Sequence, residues 1–301
     1  MKGSINEYAK LGLVHHLLYP ECVTDLDYHA DTLDEFIKRN DIEALDCCIP
    51  YGQERRERLI EHVRNCGKDV AYALHLFPLR KISLATLDPQ EQAFSRLVIS
   101  DQIKMAMAVG AAGFVFSSGA DIPEHREEAR KCFKDFCRWL CKRLKPYGIT
   151  ALLEPFDRDV DKRFLYGPID ECVALMEDLG KDFDNIGIEL DIAHLPLMSE
   201  DFEYAIKTAS KHIKRVHLGN CILKNKHNPL YGDKHPPIGI EEGEIDVAEL
   251  ALVLKYLLEI GYLGKEKRNP MLFEITTFPG KSVNYTVNDN INRIYEAWKL
   301  V

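Results

Sequence analysis

The chain has 301 residues, 46% of them apolar, which is enough for one large core or two ordinary ones. Its formal net charge is −9 with Asp and Glu spread along its length, so the basic stripe of a nucleic-acid binder is missing and a small-molecule partner is expected. No window approaches the roughly 18 apolar residues of a membrane span, and the stretch "MKGSINEYAKLGLVHHLLYP" lacks the basic flank, apolar core and small-residue cleavage site of a leader. The nine cysteines form no C-x-x-C pair. Cys132, Cys137, Cys141 and Cys172 lie in segments of helical periodicity, where a reduced thiol packs as a small hydrophobe, so a cytoplasmic protein is expected.

Along the chain, short apolar runs rich in β-branched residues alternate with longer charged stretches of helical period. "LGLVHHL" precedes "DTLDEFIKRN", "IEALDCCI" precedes "QERRERLIEHVRNC", and "VAYALHLF" precedes "DPQEQAFSRLVISDQIKMAMAVGA". "AAGFVFSS" leads to "HREEARKCFKDFCRWLCKRLKPYG", "TALLEPF" to "GPIDECVALMEDLG", and "IGIELDI" to "SEDFEYAIKTASKH". "IKRVHLG" and "PMLFEIT" precede the last two candidate helices, "DVAELALVLKYLLEIGY" and "NYTVNDNINRIYEAWKL". Asp88 with Pro89 marks one helix start, and Gly148 and Gly180 stand just past two ends. Strict alternation implies parallel strands joined by crossover helices, and eight units in this length predict an α/β single-domain (β/α)8 TIM barrel over residues 1–301. A doubly wound open sheet is disfavoured because no Gly-rich phosphate or dinucleotide loop follows an early strand. The longest irregular stretch, "GNCILKNKHNPLYGDKHPPIGIEEGEI", follows the seventh strand and is long enough to be functional.

In such a barrel the active site lies at the C-terminal ends of the strands. Strands five to eight end in Glu154, Asp191, His217 and Glu274. Neighbouring strands are about 4.8 Å apart, so these four side chains can converge on one cation. Three carboxylates and one imidazole suit Mn²⁺, Mg²⁺ or Co²⁺, with Zn²⁺ also compatible, and Mn²⁺ is favoured. Each residue also has an ordinary alternative: Asp191 as a turn cap, His217 as a satisfied core histidine, Glu274 paired to a barrel cation, Glu154 accepting loop N–H groups. Four consecutive strand ends argue jointly for the metal. Glu189, two residues before Asp191, points to the same side one layer deeper and is not counted as a ligand. His194 is expected in the loop above strand six, facing the pocket, and His75 near the end of strand three is expected to do likewise.

Glu154, "ELDIAH", "VHLGN" and "FEIT" together resemble the metal-site pattern of the xylose-isomerase-like TIM barrels, the sugar phosphate isomerase/epimerase superfamily that includes ketose 3-epimerases, inosose dehydratases, hydroxypyruvate isomerase and endonuclease IV. The resemblance covers nearly the whole chain and is strongest from about residue 150 onward. It implies one divalent ion held by Glu154, Asp191, His217 and Glu274, with Glu154 and Glu274 as the acid/base pair. It further implies proton transfer alpha to a carbonyl through an enediolate, with His194 and the loop after strand seven on substrate hydroxyls.

Two loops set the resemblance apart from a plain match. In "YGDKHPPIG", Asp233 and His235 have the D-x-H spacing with which endonuclease IV holds an additional zinc, so a second metal at His194, Asp233 and His235 stays open. The strand-four histidine of endonuclease IV is replaced here by Ser117 and Ser118, which favours substrate contacts for His194, Asp233 and His235. In "GIEEGEIDV", Glu242 stands where the relatives usually have glycine. The charged loop after strand five offers Asp157 and Lys162 as further substrate-binding candidates. The resulting expectation is a metal-dependent isomerase or epimerase of a sugar or polyol derivative. A lyase, dehydratase or C-glycoside-cleaving subunit is the alternative, and a nuclease or a non-catalytic sugar-binding barrel stands further off. The expected partner is a carbohydrate, with no nucleic acid and no membrane, and a homo-oligomer is compatible with the resemblance.

Overall fold

The computed structural model describes residues 3–50, 55–73 and 82–301. Eight parallel strands close into a barrel in sequence order: β1 (Lys10–Val14), β2 (Ala44–Cys47), β3 (Asp69–Ala73), β4 (Gly113–Phe116), β5 (Thr150–Leu153), β6 (Ile186–Asp191), β7 (Ile213–Leu218) and β8 (Pro270–Phe273). Closure comes from β1 against β8, with Lys10 opposite Pro270 and Leu13 opposite Phe273. The strands are buried on both faces, which is why they read as apolar runs rather than as alternating patterns.

Each strand is followed by a longer helix: α1 (Leu26–Phe36), α2 (Arg56–Arg64), α3 (Pro89–Ala108), α4 (Arg126–Leu144), α5 (Ile169–Leu179), α6 (Phe202–Thr208), α7 (Val247–Glu259) and α8 (Val283–Leu300). The ends follow the sequence punctuation. Asp88 caps α3 through the backbone N–H groups of Gln90 and Glu91, and Asp246 with Glu249 forms a capping box at α7. Gly148 takes the left-handed conformation that ends the turn after α4, whereas Gly180 closes α5 in a right-handed one. Two boundaries depart from the sequence reading. "LGLVHHL" is extended only to Val14, and His15–Leu18 form a short helical turn. Helix α1 begins at Leu26, ahead of "DTLDEF", because Asp25 caps it through Tyr28 N–H.

The main core lies between strands and helices. Phe133, Phe136, Cys137, Leu140, Cys141 and Leu144 form the buried face of α4, and a fully buried large apolar side chain of this kind contributes about 1.5–3 kcal/mol. Inside the barrel the filling is different. Ala71, Ala73, Val115 and Leu152 form one small apolar cluster and Val14, Ala44 and Leu272 another. Between them the interior carries charge: Asp46 on β2, Glu189 on β6 and Arg215 on β7, at 0%, 0% and 2% exposure. A register shift between Ile188 and Glu189 passes over exposed Lys214, setting Arg215 opposite Glu189 and His217 opposite Asp191. Among the described residues, no helix is long and apolar enough to cross a membrane.

Candidate metal centre

The strand ends deliver their side chains in one layer. His217 is the penultimate residue of β7 and Asp191 the last of β6, while Glu154 and Glu274 directly follow β5 and β8. Glu154 N–H still donates to Phe116 O at 2.9 Å and Glu274 N–H to Leu218 O at 3.2 Å, so the ladder fixes both backbones. One donor atom from each of Glu154, Asp191, His217 and Glu274 lies within 4.8 Å of the other three, and all four residues are buried.

Local chemistry orients the side chains of this cluster. Asp191 Oδ1 accepts from Ala193 N–H at 2.7 Å and Gly219 N–H at 3.1 Å. Residue 219 must be glycine for this, since a Cβ there would stand 2.8 Å from Asp191 Oδ1 and from Ala193 Cβ. Asp191 Oδ2 is buried with no hydrogen-bond partner among the described residues, 3.4 Å from His235 Nδ1. His217 Nδ1 lies against the Glu274 carboxylate and 3.3 Å from Glu189 Oε1, and its Nε2 is 2.9 Å from Asp46 Oδ2.

So many buried carboxylates cannot all be ionised without positive charge beside them. Burial, and then the charge of Glu274, pushes the Glu154 carboxyl up to about 8. Burial likewise raises Asp191, and raises Glu189 well above the usual range. Burial works in the same direction on Glu274, but His217 and His235 outweigh it and hold that carboxyl well below its ordinary value. Burial disfavours the charged His217 imidazole, and Glu189 and Glu274 overcome this and raise it well above its ordinary value. Without an ion, protons on Glu154 and His217 supply the neutralising charge. The buried lone pair of Asp191 Oδ2 and the mixed carboxylate and imidazole donors fit a divalent cation in that role.

A second group adjoins the first. Asp191, His194 and His235 also bring donor atoms within 4.8 Å of one another. His194 Nδ1 donates to Pro155 O at 2.7 Å, which turns Nε2 toward Asp233 Oδ1 at 3.5 Å. His235 Nε2 is 2.8 Å from the same Asp233 oxygen, and its Nδ1 is 3.1 Å from Glu274 O. His235 holds a left-handed φ of 46°, uncommon away from glycine, pinned by Thr276, whose N–H and hydroxyl both donate to His235 O. Asp233 thus bridges both histidines, and its second oxygen pairs with Lys162 Nζ at 2.6 Å.

The structure spreads the remaining candidates unevenly. Lys162 is committed to Asp233 rather than standing as a free cation. Asp157 is fully buried and accepts the N–H groups of Val160, Asp161 and Lys162 at 2.7, 2.7 and 2.9 Å, so its carboxylate shapes the loop instead of facing a ligand. The Ser118 hydroxyl is engaged with Tyr166 N–H and Gly119 O. Glu242 takes a left-handed φ of 64°, the conformation that glycine adopts most readily, and its carboxylate accepts from Asn225 and Asn228. His75 lies outside the described residues. Sequence reasoning missed Asp46 and Arg215; the available signal was the one that exposed Glu189, a charge inside an apolar strand run.

The family profile described as "Xylose isomerase-like TIM barrel" matches residues 28–294. The chain belongs to this family. No curated protein matches it in sequence. Among solved structures it resembles a D-tagatose 3-epimerase-like protein, at 19% identity and a TM-score of 0.68, over 95% of this chain and 98% of that one. A D-psicose 3-epimerase from Clostridium cellulolyticum H10, determined with D-tagatose, shares 16% identity and a TM-score of 0.66, covering 96% and 97%. An AP endonuclease, family 2, from Brucella melitensis shares 16% identity and a TM-score of 0.69, covering 94% and 98%. At these identities the likeness establishes the barrel, and members with different chemistry share it.

Proposed function

We propose that this xylose isomerase-like barrel is a divalent-metal-dependent isomerase or epimerase of a sugar or polyol derivative, transferring a proton beside a carbonyl. The observation that carries the reading is the convergence of Glu154, Asp191, His217 and Glu274 at the C-terminal mouth of the barrel. The bound cation, with Mn²⁺ favoured, would polarise the substrate carbonyl and acidify the neighbouring C–H.

Glu154 and Glu274 come from strands on either side of the Asp191 and His217 pair, which suits one carboxylate to take the proton and the other to return it. Return to the same carbon from the opposite face gives the epimer, and return to the adjacent carbon gives the aldose–ketose isomer. His194 and His235 offer imidazole groups to substrate hydroxyls, held in place by Pro155 O, Glu274 O and Asp233. Because Asp233 neutralises Lys162, the pocket favours a neutral carbohydrate over a phosphorylated one. A second metal at His194, Asp233 and His235 would compete with that substrate role. The occupied Ser118 at the end of β4 weighs against a nuclease centre. The nine free thiols support a reducing, cytoplasmic setting.

The test is incubation with Mn²⁺ and a panel of neutral ketoses in deuterated water. Metal-dependent incorporation of deuterium beside the carbonyl of at least one ketose is expected. No incorporation into any member, with the protein folded and metal-loaded, overturns the reading. Loss of water from the substrate would assign the lyase alternative instead.

A further inference from the structure

Directly beneath the metal layer sits a second charged layer that the proposed chemistry does not use. Arg215 is fully buried on β7 and reaches across the barrel to Asp46 Oδ1 on β2 at 2.5 Å and to Asp69 Oδ1 on β3 at 3.0 Å. Asp69 is tied in turn to Lys10 Nζ at 2.9 Å, at the foot of β1. The other oxygen of Asp46 stands 2.9 Å from His217 Nε2. Four strands therefore contribute to one chain of contacts, Lys10–Asp69–Arg215–Asp46–His217, which ends on a candidate ligand.

Stability is a poor reason for this layer. A buried ion pair gains little over well-packed apolar residues of similar volume, because desolvating the charges offsets their attraction, and barrel interiors are normally filled by branched aliphatic side chains. Asp46, Ala71 and Gly113 stand opposite one another in register across β2, β3 and β4, so the row that holds Asp46 continues in small residues. What the layer does accomplish is geometric. An imidazole with one nitrogen donating to a carboxylate has its tautomer and ring plane fixed, and presents the other nitrogen as the metal donor.

We propose that Asp46, clamped by Arg215, is a positioning residue that holds the Nε2–H tautomer of His217 and so makes Nδ1 the metal-facing atom. Asp46 touches neither substrate nor ion in this arrangement and acts only through His217. The proposal rests on the metal reading above.

Titration of the full-length protein with Mn²⁺ alone tests it. Asp46→Asn, which keeps the shape and an acceptor oxygen but removes the charge, is expected to weaken Mn²⁺ binding by about 10–100-fold. Asp69→Asn, two contacts further from His217 than Asp46, is expected to lower the melting temperature with little change in Mn²⁺ affinity. Long-range ¹H–¹⁵N correlation spectra of the unaltered, Mg²⁺-loaded protein provide a readout that needs no variant: His217 is expected as the Nε2–H tautomer. Equal affinity for Mn²⁺ in the unaltered and Asp46→Asn proteins, or a metal-loaded His217 protonated on Nδ1, overturns the positioning role while leaving the metal site intact. Absence of Mn²⁺ binding by the unaltered protein overturns the metal reading and the positioning role with it.

Discussion

Metal binding at this site is predicted to expel protons, and the number can be worked out from the layer itself. In the metal-free state Glu154 is raised to about 8 by burial and by Glu274, and His217 is raised well above its ordinary value by Glu189 and Glu274. Both therefore carry a proton at pH 7, and both must lose it to act as ligands. Each proton displaced makes affinity rise tenfold per pH unit, so two give about 100-fold, or about 2.7 kcal/mol, per unit between pH 6 and 7. Above pH 8 the slope falls, because Glu154 has already ionised before the ion arrives. Glu154→Gln removes one of the two protons, leaving about tenfold per pH unit below pH 8. Calorimetric titration with Mn²⁺ in buffers of different ionisation enthalpy counts the protons directly. Release of about two protons at pH 7, falling by one in Glu154→Gln, is the expected result. Affinity independent of pH, with no proton released, would refute the electrostatic picture of the site.

Further predictions follow from single contacts. Glu154→Gln and Glu274→Gln should each slow deuterium exchange into the substrate by about 10²–10⁴-fold while the fold, checked by circular dichroism, is retained. Gly219→Ala forces a methyl group against the Asp191 carboxylate and Ala193; it should weaken Mn²⁺ binding by about tenfold or more, and an unchanged affinity would dissociate Gly219 from ligand orientation. His29, buried with Nε2 at 3.1 Å from Cys48 O, is lowered from 6.5 to about 4 by burial. Because its folded value is depressed, the unfolded chain takes up the proton first. Stability is unaffected by this group above pH 6.5 and falls by about 3 kcal/mol as the pH drops toward 4. Denaturant unfolding across that range should show the loss, and His29→Asn should remove it.

The barrel was legible because each parallel strand requires a helical crossover, which imprints an alternation of period and composition on the chain. The convergence of the four strand-end side chains was legible for a related reason: residues that end consecutive strands of a closed barrel share one layer at its mouth. Contacts created by closure of the barrel were not legible. Asp46 and Arg215 are 169 positions apart and meet across the interior, and nothing local to "IEALDCCI" or "IKRVHLG" says which strands face each other. The pairing of Lys162 with Asp233 joins two loops 71 residues apart; it cancels a charge that looked available from sequence. Asp157 reads as an exposed loop carboxylate because the backbone N–H donors that engage it leave no mark on composition. The end of β1 was misjudged since "VHHLL" continues the apolar run, and only the turn at His15 ends the strand.

Where a divalent ion settles in the barrel decides the role of the four strand-end side chains most directly. Anomalous diffraction from crystals soaked in Mn²⁺ should give a peak about 2.2 Å from one donor atom each of Glu154, Asp191, His217 and Glu274, with the His217 donor being Nδ1. A peak confined to His194, Asp233 and His235, or no peak within reach of the four strand-end side chains, would contradict it.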